Sequence, residues 1–248
     1  MAEKSLTIKV KRQEDPSSKS YWEEFEIPYR PNMNIIICLM EIRKRPITKD
    51  GKQTTPVVWE SSCLEHVCGA CSMVINDQAR QACSTLVDKI DHPIVIEPMT
   101  KFPLIRDLKV DRSRLFSDLK KAKAWVPVDG THNLGPGPRL DAETQELRYK
   151  LSTCMSCGVC MEVCPQYNPK TLFVGPSVIN QVRLMNMHPT GAMHKKERLE
   201  AMMEEGGVQD CGNAQNCVRA CPKHIPLTES IADVNRQTTW EGLFGWLK

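Results

Sequence analysis

The decisive stretch of this sequence is Cys154-Met-Ser-Cys157-Gly-Val-Cys160-Met-Glu-Val-Cys164-Pro165. Its cysteines follow the C-x2-C-x2-C-x3-C-P spacing of segments that bind [4Fe–4S] clusters, in which the fourth cysteine binds the cluster of a second run. The stretch therefore predicts a cluster-binding fold, and it requires a partner run elsewhere in the chain.

The partner run is Cys211-Gly-Asn-Ala214-Gln-Asn-Cys217-Val-Arg-Ala-Cys221-Pro222, with alanine where the second cysteine would stand. Exchange of the fourth cysteines predicts two ligand sets. The set for a [4Fe–4S] cluster is Cys154, Cys157, Cys160 and Cys221. The other set is Cys164, Cys211 and Cys217, and because Ala214 has no donor atom, one iron would lack a protein ligand. We therefore expect a [3Fe–4S] cluster at the second set.

The residue before a proline is disfavoured in the helical region of backbone space. Pro165 and Pro222 follow the last cysteine of each run. We therefore expect the thiolates of Cys164 and Cys221 to turn away from their own runs.

A third group nearer the N-terminus consists of Cys63, Cys68, Cys71 and Cys83. The C-x4-C-x2-C spacing of its first three members is typical of plant-type [2Fe–2S] sites. Gly69 lets the chain fold closely around a cluster without a Cβ clash. A four-cysteine zinc site is an alternative, although such sites use repeated C-x2–4-C pairs. We interpret His66 as a loop residue, because four cysteines already complete the ligand set.

Eleven of the 12 cysteines in the 248 residues belong to these three groups. Cys38 lies alone in an apolar helical run, which predicts a buried, unreactive thiol. The polar start of the sequence has no apolar signal segment, and no apolar run approaches the roughly 18 residues of a membrane span. We therefore expect a reducing cytosolic environment, in which clustered cysteines bind metal rather than form disulfides.

The composition is that of a globular protein, with 41% hydrophobic and 25% charged residues. The net charge of +3 is small, and no aromatic ladder accompanies the basic groups. We therefore expect no nucleic-acid partner.

The hydrophobic pattern divides the chain into two parts. Period-two alternation predicts strands at 6–11, 22–27, 72–76 and 94–97, and a helix is predicted at 34–44. Helices are predicted at 107–124, 141–151, 177–187 and 192–205, with a Pro/Gly-rich connector at 126–138. Trp240, Phe244 and Trp246 predict a short terminal helix. The fold class is therefore α+β, with domains at residues 1–106 and 107–248.

The order of the three cysteine groups resembles that of the iron–sulfur subunit of succinate dehydrogenase and fumarate reductase. Three segments carry the resemblance, which covers nearly the whole chain: Cys68-Gly-Ala-Cys71, Cys154-Met-Ser-Cys157-Gly-Val-Cys160 and Cys217-Val-Arg-Ala-Cys221-Pro222. It implies a β-grasp [2Fe–2S] ferredoxin-like domain at 1–106. An all-α bacterial-ferredoxin-like domain would follow at 107–248, holding the [4Fe–4S] and [3Fe–4S] clusters.

The same resemblance implies partners. The N-terminal domain would dock on a flavoprotein subunit with covalent FAD, and the C-terminal domain on a membrane cytochrome b subunit with haem b. The chain would then lie on the cytoplasmic face of a bacterial membrane as a peripheral subunit. Electrons would pass from succinate through FAD and the three clusters to quinone, as part of the respiratory chain and the tricarboxylic acid cycle.

Two departures from the ubiquinone-linked members bear on the quinone. Those members have tryptophan after the fourth cysteine of the first run and histidine after the first cysteine of the second. Here Pro165-Gln-Tyr-Asn-Pro169 has no tryptophan, and Gly212 replaces the histidine. The segments Val58-Trp-Glu-Ser-Ser-Cys63 and His188-Pro-Thr-Gly-Ala-Met193 look more like the menaquinone-linked, di-haem enzymes of Gram-positive bacteria. We therefore expect menaquinone, reached through a haem in the membrane subunit.

Alternatives remain open at the level of sequence. The chain has no G-x-G-x-x-G fingerprint, so we expect no substrate site of its own. Fumarate reductase runs the same chemistry in reverse, and sequence does not separate the two directions. A free-standing ferredoxin-like electron carrier and a zinc-binding scaffold are the remaining hypotheses.

Overall fold

The structure is a computed structural model that describes residues 5–126 and 139–245. The chain divides into two units, Met1–Arg112 and Ser113–Lys248. Most of the predicted connector at 126–138 and the predicted helical residue Trp246 lie outside the described residues.

A five-stranded mixed sheet forms the first unit, in the order β2-β1-β5-β3-β4. Its strands are β1 (Ser5–Arg12), β2 (Tyr21–Pro28), β3 (Ser72–Ile75), β4 (Gln78–Gln81) and β5 (Ile94–Glu97). Only β1 and β5 pair in parallel; the other neighbours are antiparallel. In β1, Leu6, Ile8 and Val10 point to the core because side chains alternate between the two faces of a strand. The four predicted strands are confirmed, and β4 is an additional one.

Helix α1 (Ile35–Lys44) supplies the other side of this core. It begins where the side chain of Asn34 accepts a hydrogen bond from the Ile37 amide, which satisfies one free N–H of the first turn. Its buried residues join the apolar side chains of β1, β2, β3 and β5 in one cluster. The predicted helix at 34–44 is therefore confirmed.

The first unit ends with a hairpin of β6 (Leu104–Arg106) and β7 (Lys109–Val110). The prediction of a helix from residue 107 is wrong here, because helix α2 begins only at Ser113 and ends at Lys121. The predicted domain boundary at 106/107 falls inside this hairpin. Asp107 has φ +49, a turn conformation that a helix does not use.

Asp107 lies at the centre of a buried charged network in the first unit. Its carboxylate accepts hydrogen bonds from Arg12 Nε at 3.0 Å and from the amides of Gln13 at 3.1 Å and Val58 at 2.9 Å. Arg12 is fully buried and also donates to Glu23 and to the Thr55 carbonyl. The network joins β1 and β2 to the segment at 55–58 that leads to the first cysteine group.

Burial lowers the pKa of Arg12, but the hydrogen bond and charge of Asp107 and the charge of Glu23 outweigh it, and the net shift is upward. The guanidinium therefore stays charged, and its charge is balanced inside the protein. Removal of either partner from a buried ion pair strongly destabilises the folded protein, because the other charge stays buried without compensation.

We predict that Asp107→Ala destabilises the protein by about 3–5 kcal/mol, because the Arg12 guanidinium would stay buried without its main partner. The measurement is the urea midpoint of the cluster-loaded chain, followed by circular dichroism. Asp50→Ala, at an exposed turn of the same unit, is the matched control and should leave the midpoint unchanged. Equal midpoints for the two variants would contradict the assignment of Asp107 as the anchor.

The described part of the second unit contains helices and no β-strand. Besides α2, these helices are α3 (Ala142–Ser152), α4 (Val159–Glu162), α5 (Pro176–Asn186), α6 (Lys195–Met203), α7 (Asn216–Ala220) and α8 (Leu227–Phe244). The helices predicted at 141–151 and 177–187 are confirmed. The one predicted at 192–205 is shorter, because a 3-10 turn at Gly191–His194 precedes α6.

Helix α8 corrects the sequence analysis, which predicted only a short terminal helix. It has 18 residues and packs along α5. Its buried positions are Leu227, Ser230, Val234 and Thr238, so two of the four are polar. Ser230 donates to Asn180 Oδ1 of α5 at 3.1 Å, and polar pairs of this kind replace the apolar stripe that pattern analysis requires.

No helix within residues 5–126 and 139–245 combines the length and the apolar character needed to cross a bilayer.

Candidate functional site

One cavity of the second unit, of about 350 Å³ including space open to solvent, is lined by Cys154, Cys157, Cys160 and Cys221. Cys154 follows α3, and Cys160 lies on α4, which begins after Gly158 at φ +82. Cys221 comes from the other run, directly after α7. The structure thus brings together the four cysteines predicted to bind the [4Fe–4S] cluster.

A second cavity of about 350 Å³ is lined by Cys164, Cys211 and Cys217, and Ala214 stands in its wall. These are the three cysteines predicted for the second set, with the residue that lacks a donor atom beside them. Gly212 also lines this cavity, and a Cβ there would lie 2.6 Å from Gln166 Nε2. A larger residue at position 212 would therefore require Gln166 to move.

The crossing of the fourth cysteines has a visible backbone basis. Cys221 has φ −65 and ψ 115, an extended conformation that ends α7 just before Pro222. Asn216 Nδ2 donates to the Val163 carbonyl at 3.1 Å, which joins the start of α7 to the end of α4. Each run therefore delivers its last cysteine to the cavity that the other run begins.

Burial dominates the electrostatics of these two cavities. It raises the pKa values of Cys154 and Cys160, and it raises the pKa of Cys217 to about 11. A buried thiolate needs a nearby positive charge, and a coordinated metal ion supplies it and removes the thiol proton. Backbone amides also donate to these sulfurs: Ile225 to Cys221 Sγ at 3.5 Å, Ser156 to Cys154 and Val218 to Cys217.

The first unit places its cysteine group on a loop with several left-handed residues. Leu64, His66 and Gly69 have φ between +59 and +71, which turns successive amides inward. Cys63 Sγ accepts hydrogen bonds from the amides of Glu65, Val67 and Cys68 at 3.3–3.4 Å. These bonds lower the pKa of Cys63 to about 7, because they stabilise the thiolate.

The remaining two cysteines of this group flank the β3–β4 hairpin. Cys71 precedes β3 and Cys83 lies just beyond β4, and the pairing of Ser72 with Gln81 brings the two close together. Burial raises the pKa of Cys71 to about 12. His66 Nε2 lies 3.1 Å from Gln81 Oε1, so this ring is engaged in a hydrogen bond with a neighbouring strand.

The cysteine groups fit iron–sulfur clusters better than single metal ions. A tetrahedral zinc site with Zn–S of about 2.3 Å holds its sulfurs about 3.8 Å apart. Within residues 5–126 and 139–245, no three Cys, His, Asp or Glu side chains converge in the way a single metal ion requires. The cysteines of the second unit instead surround cavities, as ligands of separate irons in one cluster do.

Sequence analysis missed the residues that hold the first loop in place. Arg112 Nη1 donates to the Gly69 carbonyl at 2.8 Å, across 43 residues of sequence. Ser72 Oγ donates to the same carbonyl at 2.9 Å. A lone arginine and serine carry no spacing signal, so sequence analysis had no means of finding them.

Two family models of iron–sulfur domains match this chain. Residues 7–117 match the family model of the 2Fe-2S iron-sulfur cluster binding domain, and residues 150–225 match the 4Fe-4S dicluster domain. The fold and the cysteine sites therefore define an iron–sulfur electron-transfer protein with two ferredoxin-type domains.

Two relatives that match almost the full length of the chain identify its family within this class. The chain is 58% identical over 95% of its length to the succinate dehydrogenase iron-sulfur subunit of Bacillus subtilis (strain 168), covering 93% of that protein. It is 30% identical over 94% of its length to the fumarate reductase iron-sulfur subunit of Wolinella succinogenes, covering 96% of it. The chain belongs to the family of iron–sulfur subunits of succinate dehydrogenase and fumarate reductase.

A solved structure supports the fold. A chain of the Mycobacterium smegmatis Sdh1 complex in the apo form superposes with a TM-score of 0.76, at 23% identity and with 96% of each chain covered. The α+β architecture predicted from sequence is therefore confirmed.

Cys38 is the remaining cysteine, and it lies in the core on α1 with no exposed surface. Burial raises its pKa to about 12. At pH 8 only about one such thiol in ten thousand would be ionised, and the thiolate is the reactive form. The prediction of a buried thiol is confirmed.

We predict that iodoacetamide leaves Cys38 unmodified in the folded, cluster-loaded chain at pH 8 and alkylates it after unfolding in urea. Mass spectrometry of peptides containing residue 38 measures the labelled fraction. Cys38→Ser identifies the peptide and should retain the full iron content. Rapid labelling of the folded chain, or iron loss in this variant, would contradict the prediction.

Proposed function

We propose that this chain is the iron–sulfur subunit of a succinate:quinone oxidoreductase. It would relay electrons from the FAD of a flavoprotein partner to a membrane partner with haem b and menaquinone. The observation that carries the proposal is the pair of cavities in the second unit, each lined by cysteines of both runs.

The proposed ligand sets follow the cysteine groups. Cys63, Cys68, Cys71 and Cys83 would hold [2Fe–2S]; Cys154, Cys157, Cys160 and Cys221 would hold [4Fe–4S]; Cys164, Cys211 and Cys217 would hold [3Fe–4S]. Support for the three-iron assignment is that Ala214 lines its cavity beside three cysteines and offers no donor atom. When bound, such clusters accept and release single electrons without atom transfer.

The chain's own residues do three things at these sites. Cysteines provide thiolates, the amides of the first loop donate hydrogen bonds to Cys63 Sγ, and apolar side chains such as Ile225 and Leu227 shield the first cavity from water. Hydrogen bonding and burial are the two levers by which a protein sets cluster potentials. The geometry is therefore that of an electron carrier.

Gly212 supports the proposal for the quinone. Position 212, in the wall of the second cavity, is glycine, so the chain has no imidazole at this corner of the cavity. We infer that this chain lies at the cytoplasmic face of the membrane and passes its electrons to the haem of the membrane partner. The quinone would then be held by that partner and not by this chain.

Fumarate reduction is the second candidate, because the Wolinella succinogenes relative carries that name at 30% identity. The higher identity of 58% to the Bacillus subtilis succinate dehydrogenase subunit favours succinate oxidation. Both directions use the same electron path, so the cysteine sites do not distinguish them.

We predict that Ala214→Cys supplies the missing ligand and converts the [3Fe–4S] cluster to [4Fe–4S]. The oxidised-state electron paramagnetic resonance signal of the three-iron cluster should disappear, while the [2Fe–2S] signal stays. Anaerobic wild-type protein should contain about nine irons and ten sulfides per chain, and the variant about ten irons.

The matched control is Ala192→Cys, an exposed alanine of the same unit. It should retain the three-iron signal. Identical spectra for wild type and Ala214→Cys would contradict the assignment of the second run, and zinc without acid-labile sulfide would contradict the whole proposal.

We further predict that the chain, purified by a tag from membranes of its host, brings with it a covalent flavoprotein and a haem-containing membrane protein. Succinate oxidation with a menaquinone analogue should exceed fumarate reduction in that complex. A soluble, stable chain without either partner would favour the free-standing carrier, and a reversed activity ratio would favour fumarate reductase.

A further inference from the structure

Arg112 contacts the first cysteine loop on both sides of Cys63. Its Nη1 donates to the Gly69 carbonyl at 2.8 Å, and its Nη2 lies 3.2 Å from Glu60 Oε2. The Arg112 side chain is only 13% exposed, whereas Glu60 is 44% exposed. The guanidinium is therefore held at a defined place beside the loop, where its charge is only partly screened by solvent and by Glu60.

The carbonyl that Arg112 binds belongs to a peptide group with a second function. The Gly69 oxygen and the Ala70 amide are the two ends of one planar trans unit, so they point in opposite directions. The Ala70 N–H donates to Cys68 Sγ at 3.5 Å. Fixing the oxygen therefore aims the N–H at the sulfur of a proposed cluster ligand.

A second donor holds the same oxygen. Ser72 Oγ donates to the Gly69 carbonyl at 2.9 Å, and Gln81 Nε2 donates to Ser72 Oγ at 3.0 Å. Ser72 and Gln81 are both buried, and they are paired across the β3–β4 hairpin. Gly69 has φ +71, and because glycine has no Cβ, the Gly69–Ala70 peptide rotates more easily than it would after another residue. Its orientation thus depends on these donors.

We propose that Arg112 is a positioning residue for the [2Fe–2S] cluster. Arg112 holds the Gly69–Ala70 peptide so that its N–H is directed at Cys68 Sγ, and it places a fixed positive charge beside the loop. Both effects stabilise the reduced, more negative cluster and raise its reduction potential. The inference rests on the proposed function, because it requires a [2Fe–2S] cluster at this loop.

The test is a redox titration of the intact complex, with the reduced [2Fe–2S] signal followed by electron paramagnetic resonance. Arg112→Gln removes the positive charge and the guanidinium that contacts both the Gly69 carbonyl and Glu60. We therefore expect the reduction potential of the [2Fe–2S] cluster to become more negative. A tenfold fall in the equilibrium constant for one-electron reduction corresponds to about 59 mV, and we expect a shift of that order. Arg112→Lys keeps the charge and should shift less.

Two further variants separate this role from a general loss of stability. Ser72→Ala removes only the second donor to the Gly69 carbonyl and should also lower the potential, by less than Arg112→Gln. Arg45→Gln, an exposed arginine at the end of α1, is the matched charge control and should leave the potential unchanged. The potential of the [4Fe–4S] centre in the other unit serves as an internal reference.

An unchanged [2Fe–2S] potential in Arg112→Gln, with the signal retained, overturns the inference. If Arg112→Gln fails to assemble the cluster, Arg112→Lys and Ser72→Ala decide, and wild-type potentials in both overturn it. A wild-type complex without any [2Fe–2S] signal fails the proposed function itself, which is a separate result.

Discussion

The exchange of the last cysteine between the two runs is the constraint on which the second unit depends. Neither cavity can close unless α4 and α7 pack against each other, because Cys221 completes one wall and Cys164 the other. The hydrogen bond from Asn216 to Val163 holds that arrangement. Since burial raises the pKa values of Cys160 and Cys217 and so favours their protonated thiols in the absence of metal, we expect cluster binding and folding of this unit to be coupled.

The cysteine groups could be predicted from sequence because local geometry sets their spacing. Ligands within a run are separated by two or three residues, and a proline dictates the extended backbone of Cys221. Strands β1 and β2 were equally predictable, since their buried side chains alternate strictly with more exposed ones. The ligand roles of these cysteines remain a proposal, although the structure brings the predicted sets together.

Other features depend on contacts that no local pattern records. Helix α8 was underestimated because Ser230 and Thr238 occupy buried positions where a pattern analysis expects apolar residues. The helix predicted from residue 107 failed because Asp107 is needed elsewhere, as partner of Arg12 across 95 residues of sequence. Ser230 and Asp107 are each hydrogen-bonded to a distant segment, and their own neighbours in sequence do not show this.

The three cysteine groups differ in their surroundings, although all offer the same kind of side chain. The first loop offers three amide N–H groups to Cys63 Sγ and has a partly buried arginine at its side. In the cavities of the second unit, burial raises the pKa values of Cys160 and Cys217. Donated hydrogen bonds and positive charge favour reduction of a cluster, whereas apolar burial of its negative charge opposes it. Electron transfer along a chain of clusters requires suitable reduction potentials at each cluster. These potentials are set by the loop amides, the charged side chains and the cavity walls around the clusters, and not by the spacing of the cysteines.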